Sequence, residues 1–439
     1  VMARMDGALC LGISLITGPM IEEAVEVGTA VKERYPDIPI VLGGWHPSIL
    51  PEQSLEPSFV DVVVLRQGEI TMLELADRFR DGASLEDVSG ILWKDNGTLQ
   101  RNAPRMYPKV AELPSRIPGY DLIDYDRYER HTGLRWLMYT TSHGCPYNCS
   151  YCSNASVYGR NLDLLPVEQV VDEITYLVRK FNVKLLGLTD DIFFAFRDRS
   201  LEIAEGIVRS GLKFEWYTQD RSDCWARMTH EQAKLFYRSG LRRVCFGAES
   251  GSDDVLLSIE KRSGVESTLM AAERCRDAGI RASFGFIFGL PAETEEDLQQ
   301  TVDLIDQIYR VNPMADCNTN IFTPYPGSPL WPVALEMGFK APQSFEEWAA
   351  LYPRTIRLPW MSKEEHFRLQ AIRQYLRFGY HQVKVGERPH SAGHQMLLNL
   401  FKSTSRFRIR KKLFSFPWEY LTYQVLQQLT HGVYADPRF

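Results

Sequence analysis

Three thiols stand within eight residues of one another, Cys145, Cys149 and Cys152 in the stretch CPYNCSYC, and five further cysteines are scattered over the rest of the 439 residues. Thiolates are strong ligands for zinc and for iron–sulfur centres. A structural zinc site takes four ligands, commonly as two pairs. No second pair lies nearby, and His143, two residues before Cys145, reaches the same ion awkwardly. Three thiolates can instead hold three irons of a 4Fe–4S cluster and leave the fourth iron open to a small molecule. The spacing favours the cluster, with zinc as the alternative.

Such a loop needs a frame. WLMYTTS (136–142) reads as a strand running into it and opens a series: KLLGLT (184–189), FEWYTQ (214–219), RRVCFGAE (242–249), RASFGFIFG (281–289) and CNTNIFTP (317–324). Helical patterns lie between these strands. Val167, Val170, Val171, Ile174, Leu177, Val178 and Phe181 form one stripe, and Thr229 with Gln232 matches a capping box. Six strand–helix units of about 30 residues each predict a parallel, barrel-like sheet. Its chemistry belongs at the carboxyl ends of the strands, where the thiols lie.

An earlier alternating series precedes the barrel: strands at ALCLGIS (8–14), IPIVLGG (38–44) and VDVVVL (60–65), helices at 20–35 and 69–79, and a hairpin around Asn96-Gly97. This is a second α/β unit. The boundaries expected are an N-terminal Rossmann-like domain over 1–102, a Pro-dotted linker over 103–133, the barrel over 134–330 and a mainly helical C-terminal region over 331–439. The chain enters a strand almost at once without an initiating Met, which predicts a missing upstream segment.

Composition narrows the class. A net charge of −6, with 44% hydrophobic and 24% charged residues, suits an ordinary globular chain and argues against a nucleic-acid partner. Scattered cysteines do not form a disulfide framework, which predicts a reducing, cytoplasmic setting.

CPYNCSYC resembles the C-x-x-x-C-x-aromatic-C signature of radical S-adenosylmethionine (SAM) enzymes, with Tyr151 as the aromatic residue; the resemblance spans Trp136 to about Leu330. It implies an α/β fold with a partial (β/α)6 barrel, that the open iron chelates SAM, and that an electron from the cluster yields a 5′-deoxyadenosyl radical which abstracts a substrate hydrogen. Carried over residue by residue, Asp190 and Asp191 face the methionine amino group, Glu249 and Ser250 face the ribose or methionine part, and Gly285, Ile287 and Gly289 lie beside the adenine. Glu293 sits one residue late for the last pattern. Arg221 and Asp223 end the third strand, as cofactor contacts or as an ion pair.

The first unit is similar to the cobalamin-binding module fused to one class of these enzymes. Ser14-Leu15-Ile16 matches its S-x-L element, with Ile16 where Leu is usual, and Gly43-Gly44 matches its G-G element. The D-x-H-x-x-G element is absent, so cobalamin is expected in the full-length protein and weakly or not at all in this chain. His46 follows the glycines and is not expected to bind cobalt.

The sequence therefore predicts a radical SAM enzyme that transfers a methyl group with cobalamin, or alternatively an oxidative cyclase or rearrangement enzyme. No second cysteine triad or RNA-binding module suggests a methylthiotransferase. An electron carrier would complete its cluster with a fourth cysteine, and a zinc-stabilised module is the remaining rival. Expected partners are a small-molecule or lipid-like substrate and an electron donor such as flavodoxin or ferredoxin. The basic run Lys402, Arg406, Arg408, Arg410, Lys411 and Lys412, set among aromatic residues in 401–420, permits peripheral contact with an anionic membrane as well as a solvated helix face.

Overall fold

The computed structural model describes residues 1–352, 356–380 and 392–429. Two sheets organise them. The first has five strands in spatial order β1 (Leu11–Leu15), β2 (Ile40–Gly44), β3 (Val62–Val64), β4 (Ile91–Asp95) and β5 (Thr98–Arg101). β1, β2 and β3 pair in parallel, and β4–β5 is an antiparallel hairpin added to the edge. Asn96 and Gly97 both take positive φ at its turn, as the Asn-Gly pair requires. Fully buried Val and Ile side chains of β2 and β3 explain why these strands read as continuous apolar runs.

The barrel sheet follows. β6 (Trp136–Tyr139) is continued by a short hairpin, β7 (Ser142–Gly144) with β8 (Leu162–Leu164), which the sequence pattern did not suggest. Then come β9 (Leu185–Leu188), β10 (Glu215–Arg221), β11 (Leu241–Glu249), β12 (Arg281–Phe288) and β13 (Asp316–Ile321). Six strands run in the order β13-β12-β11-β10-β9-β6, every neighbouring pair parallel. β6 and β13 are the two ends of this sheet and do not pair, so the barrel is partial. Burial alternates along β11 and β12. Val244, Phe246, Ala282 and Phe284 are enclosed, while Arg243, Cys245, Gly247, Gly285 and Ile287 are half-buried on the opposite face.

The connecting helices obey the sequence signals. Val170, Ile174, Leu177 and Val178 are buried along the helix Val167–Phe181. Thr229 and Gln232 form the expected capping box of His230–Arg238, and Thr294 caps Glu295–Val311 with Asp297 in the same way. The stretch expected as a plain linker is more ordered than that. It holds the helix Tyr125–Thr132, whose Tyr125 ring packs 4.8 Å from Phe181. Helices Lys363–Tyr380, Ala392–Lys411 and Trp418–Leu429 make up the C-terminal region. Parts of the region expected to be mainly helical over 331–439, at 353–355, 381–391 and 430–439, fall outside the residues described. Among the described residues no helix is long and apolar enough to cross a membrane.

Candidate active site

The chain leaves β6 and turns through β7 into the cysteine loop, so Cys145, Cys149 and Cys152 lie beyond the carboxyl end of the barrel sheet, all half-buried and none in a disulfide. Burial raises the Cys145 thiol and pushes Cys152 up to about 11. The three lie close enough to influence one another's charge. Among the described residues no group of three or more His, Cys, Asp and Glu is already drawn into metal-holding geometry. The donor set nonetheless fits an iron–sulfur cluster: three accessible thiols on one loop, with a fixed cation beside them.

That cation is Arg221, the last residue of β10. Its Nε donates to Asp223 Oδ1 at 2.9 Å, and Nη2 donates to the Lys261 carbonyl at 2.6 Å. The guanidinium lies 3.8 Å from the Tyr147 ring centroid, and Nη1 points at Cys149 Sγ at 3.8 Å. Both sequence readings of Arg221 meet here, because the ion pair with Asp223 is what aims it at the thiol.

A second fixed group lies behind Tyr151. Its hydroxyl donates to Glu249 Oε1 at 2.7 Å, and Lys261 Nζ donates to the same oxygen at 2.9 Å and to the Tyr151 hydroxyl at 3.1 Å. Glu249 and Lys261 are a buried ion pair, with side chains 9% and 5% exposed. Glu249 adopts φ +64° where β11 bulges, a strained conformation for a residue with a side chain. A Cβ at Gly247 would stand 2.2 Å from Glu249 Oε1 and 2.8 Å from Lys261 Nζ, so this glycine makes the pair possible. Neither Gly247 nor Lys261 was found in the sequence. Gly247 could have been, since it lies two residues before Glu249 on the same strand face.

The remaining expected residues divide. Asp191 belongs with the thiols: burial raises its carboxyl, Asn154 Nδ2 donates to it at 2.8 Å, and its charge acts on Cys145 and Cys152. Asp190 is fully enclosed, taking hydrogen bonds from Thr141 N, Thr141 Oγ1 and Ser142 Oγ. It ties the end of β9 to the start of the loop. The Ser250 hydroxyl is buried 3.2 Å from Thr301 Oγ1 on the helix Glu295–Val311 and accepts from Ser252 N. Gly285 is bare, with only the Phe246 carbonyl near a notional Cβ, at 3.7 Å, and Ile287 lies on the same face two residues on. Gly289 has φ +78° and its notional Cβ would strike Leu358 Cδ1 at 2.6 Å, so the C-terminal region fills that space. Glu293 precedes its helix and accepts from Gly289 N, and burial pushes its carboxyl up to about 7.

On the first sheet, Ser14 pairs with Gly43 and Leu15 with Gly44 at the carboxyl ends of β1 and β2. Gly44 takes φ +95° and ψ −165°, a region open essentially to glycine alone, and a Cβ there would meet the Leu15 carbonyl at 2.6 Å. Gly43 has no such internal need, since its Cβ would find only ordinary contacts at 3.8 Å and beyond. It leaves backbone uncovered, as a cofactor's close approach requires. His46 is wholly buried between Phe345 and Trp348, with Nδ1 3.0 Å from Thr17 Oγ1, and burial lowers it to about 4. The two units meet at the cysteine loop, where Gln67 Nε2 donates to His143 Nδ1 at 2.9 Å.

Comparison with known proteins agrees with this arrangement. The family model of the Radical SAM superfamily matches residues 139–305, and that of the B12 binding domain matches residues 3–76. An uncharacterised methyltransferase of Pyrococcus horikoshii is 29% identical over 372 residues, 84% of this chain and 77% of that protein. The anaerobic magnesium-protoporphyrin IX monomethyl ester cyclase of Rubrivivax gelatinosus is 29% identical over 329 residues, 73% of this chain but only 57% of the cyclase. In fold, the chain is similar to the radical SAM methyltransferase TsrM of Kitasatospora setae, solved with cobalamin and a [4Fe-4S] cluster bound (TM-score 0.67, 17% identity, 94% of this chain and 89% of that one). The chain therefore carries a radical SAM domain and, ahead of it, a B12 binding domain.

Proposed function

We propose that Cys145, Cys149 and Cys152 hold a 4Fe–4S cluster and that the enzyme, with SAM and cobalamin, transfers a methyl group to an unactivated carbon. The observation that carries this reading is the set of three free thiols beyond β6 with the Arg221 guanidinium fixed against Cys149. With SAM on its open iron, such a cluster supplies the electron that yields methionine and a 5′-deoxyadenosyl radical. In this reading the chain's own residues position and exclude. The Tyr151–Glu249–Lys261 group holds the loop against β11, Asp191 and Asn154 hold its far end, and bare Gly285 with Ile287 leaves room for the nucleoside.

Ser14, Gly43 and Gly44 form the edge on which cobalamin would rest. The working division of the chain stays at 1–102, 103–133, 134–330 and 331–439. A small-molecule substrate, an external flavodoxin- or ferredoxin-type electron donor, no nucleic acid and a cytoplasmic setting complete the reading. Anaerobic reconstitution with iron and sulfide, followed by reduction and measurement of 5′-deoxyadenosine, tests it; protein that takes up iron but releases no 5′-deoxyadenosine under any reductant overturns it.

Oxidative ring formation is the second reading, favoured by the similarity to the magnesium-protoporphyrin cyclase. SAM labelled in its methyl group separates the two. Label enters product in methyl transfer and not in cyclisation.

A further inference from the structure

A cavity of about 960 Å³ lies outside the cysteine loop, where three parts of the C-terminal region converge beside the end of β12. Phe339 and Lys340 border it on one side, residues 356–361 on the second, and the first turns of the helix Lys363–Tyr380 on the third, with Tyr420 added from the last helix. Its wall is anchored to the barrel. Leu358 and Met361 pack where a Gly289 side chain would be, Trp360 Nε1 donates to the Gly289 carbonyl at 3.1 Å, and His366 Nε2 accepts from Leu358 N at 2.8 Å.

Two features define what would fit. The lining is mostly apolar: Phe339, Ile356, Leu358, Pro359, Met361 and Phe367. Among the described residues the Lys, Arg, Asp and Glu side chains on it are Lys340, Arg357 and Lys363, with no Asp or Glu, in a chain holding 56 acidic residues against 50 basic. Cations are usually answered by neighbouring carboxylates, as Arg368 is by Glu295 a few residues along the same helix. Lys340, Arg357 and Lys363 make no ion pair with a described residue. The volume falls in the range of small-molecule pockets, where apolar walls supply affinity and a few charges fix orientation.

We propose that this cavity binds a ligand with an elongated apolar body and a terminal anionic group, carboxylate or phosphate. Lys340, Arg357 and Lys363 at the rim hold the anion, and the apolar wall against β12 holds the body. That this ligand is the substrate rests on the reaction proposed above; the binding itself does not.

The test uses the full chain and four twelve-carbon probes below their micellar concentrations: dodecanoate, dodecyl phosphate, dodecanol and dodecyltrimethylammonium. Isothermal titration should show the two anions binding at one site, the alcohol at least tenfold more weakly and the cation not at all. Arg357→Glu and Lys340→Glu, both at exposed positions, should each weaken the anions about tenfold or more. The Cys145→Ala/Cys149→Ala/Cys152→Ala protein should bind them as the parent does, which separates failure of the pocket from failure of the radical reading. Equal affinity for all four probes, anion binding that ignores both substitutions, or binding only to phosphatidylglycerol vesicles and never to the monomeric anions would each overturn the site.

Discussion

Around the cysteine loop Arg221, Glu249, Lys261 and Asp191 are each held by named partners, whereas the matching edge of the first sheet, at Ser14, Gly43 and Gly44, is largely backbone. One edge is built from side chains that fix each other's positions, and the other from side chains left out. The first arrangement suits a small inorganic group that needs oriented ligands and a tuned local charge. The second suits a large flat cofactor that needs close approach over a wide area. The same rule, ligands at the carboxyl ends of parallel strands, is thus met by opposite means.

The largest effect should come from the side-chain edge. Replacing Cys145, Cys149 and Cys152 with Ala should remove nearly all iron and sulfide from reconstituted protein and leave its circular dichroism unchanged, because the three thiols are only half-buried. Retention of parental iron would break the contrast at its root. Lys261→Met should come next. It strands the Glu249 carboxylate in a buried setting, a loss of about 3–5 kcal/mol in unfolding experiments. The double variant Glu249→Gln/Lys261→Met should be less damaged than Lys261→Met alone, since no charge is then unpaired.

The backbone edge sharpens the comparison through two adjacent glycines. Gly44→Ala should cost on the order of 1–3 kcal/mol of stability, because the backbone there is accessible essentially to glycine alone. Gly43→Val should leave stability within about 0.5–1 kcal/mol of the parent, yet weaken cobalamin uptake by the full-length protein, measured by absorbance. If Gly43→Val unfolds the protein instead, the bare edge has a structural cause.

The smallest effect is one of pH. Asp220 is buried and accepts from Phe194 N and from Arg221 N, and burial pushes its carboxyl from 3.8 up to about 7. A raised folded value means that the folded state binds the proton more tightly. Stability from this group is therefore complete below about pH 4 and is lost as pH rises towards 7, with a slope of at most about 1.4 kcal/mol per pH unit. Asp220→Asn should flatten that part of a plot of melting temperature against pH.

What could be read in the sequence was local. Strands such as Arg281–Phe288 and the striped helix Val167–Phe181 announce themselves by periodicity, and three thiols at fixed spacing announce a ligand set. Contacts made by topology could not be read. Lys261 meets Glu249 across a bulge and a loop, Gln67 meets His143 from another sheet, and Leu358 reaches Gly289 from the far end of the chain. Adjacent residues with one chemistry also diverged, as Asp190 turned into the scaffold and Asp191 towards the thiols. The basic run at 402–412 is the plainest case. Arg408 pairs with buried Glu419, Arg410 with Asp306 and Lys412 with Asp303, so much of its charge is spent within the fold. Composition alone cannot tell such a lattice from a membrane-facing patch.

The unpaired ends of the barrel sheet have a consequence for how its mouth opens. Beyond β13 the chain crosses to the cysteine loop, where Leu330 N donates to the Ser150 carbonyl at 2.9 Å and Ser156 donates to the Gly327 carbonyl at 2.5 Å. A Cβ on Gly327 would stand 3.1 Å from both Ile49 and Ser156, so the chains pass closely there. The seam between β6 and β13 is therefore clasped at the end that holds the thiols and unlaced along the strands below. Widening the mouth of the barrel at that seam would require loosening two hydrogen bonds rather than peeling a strand from the sheet.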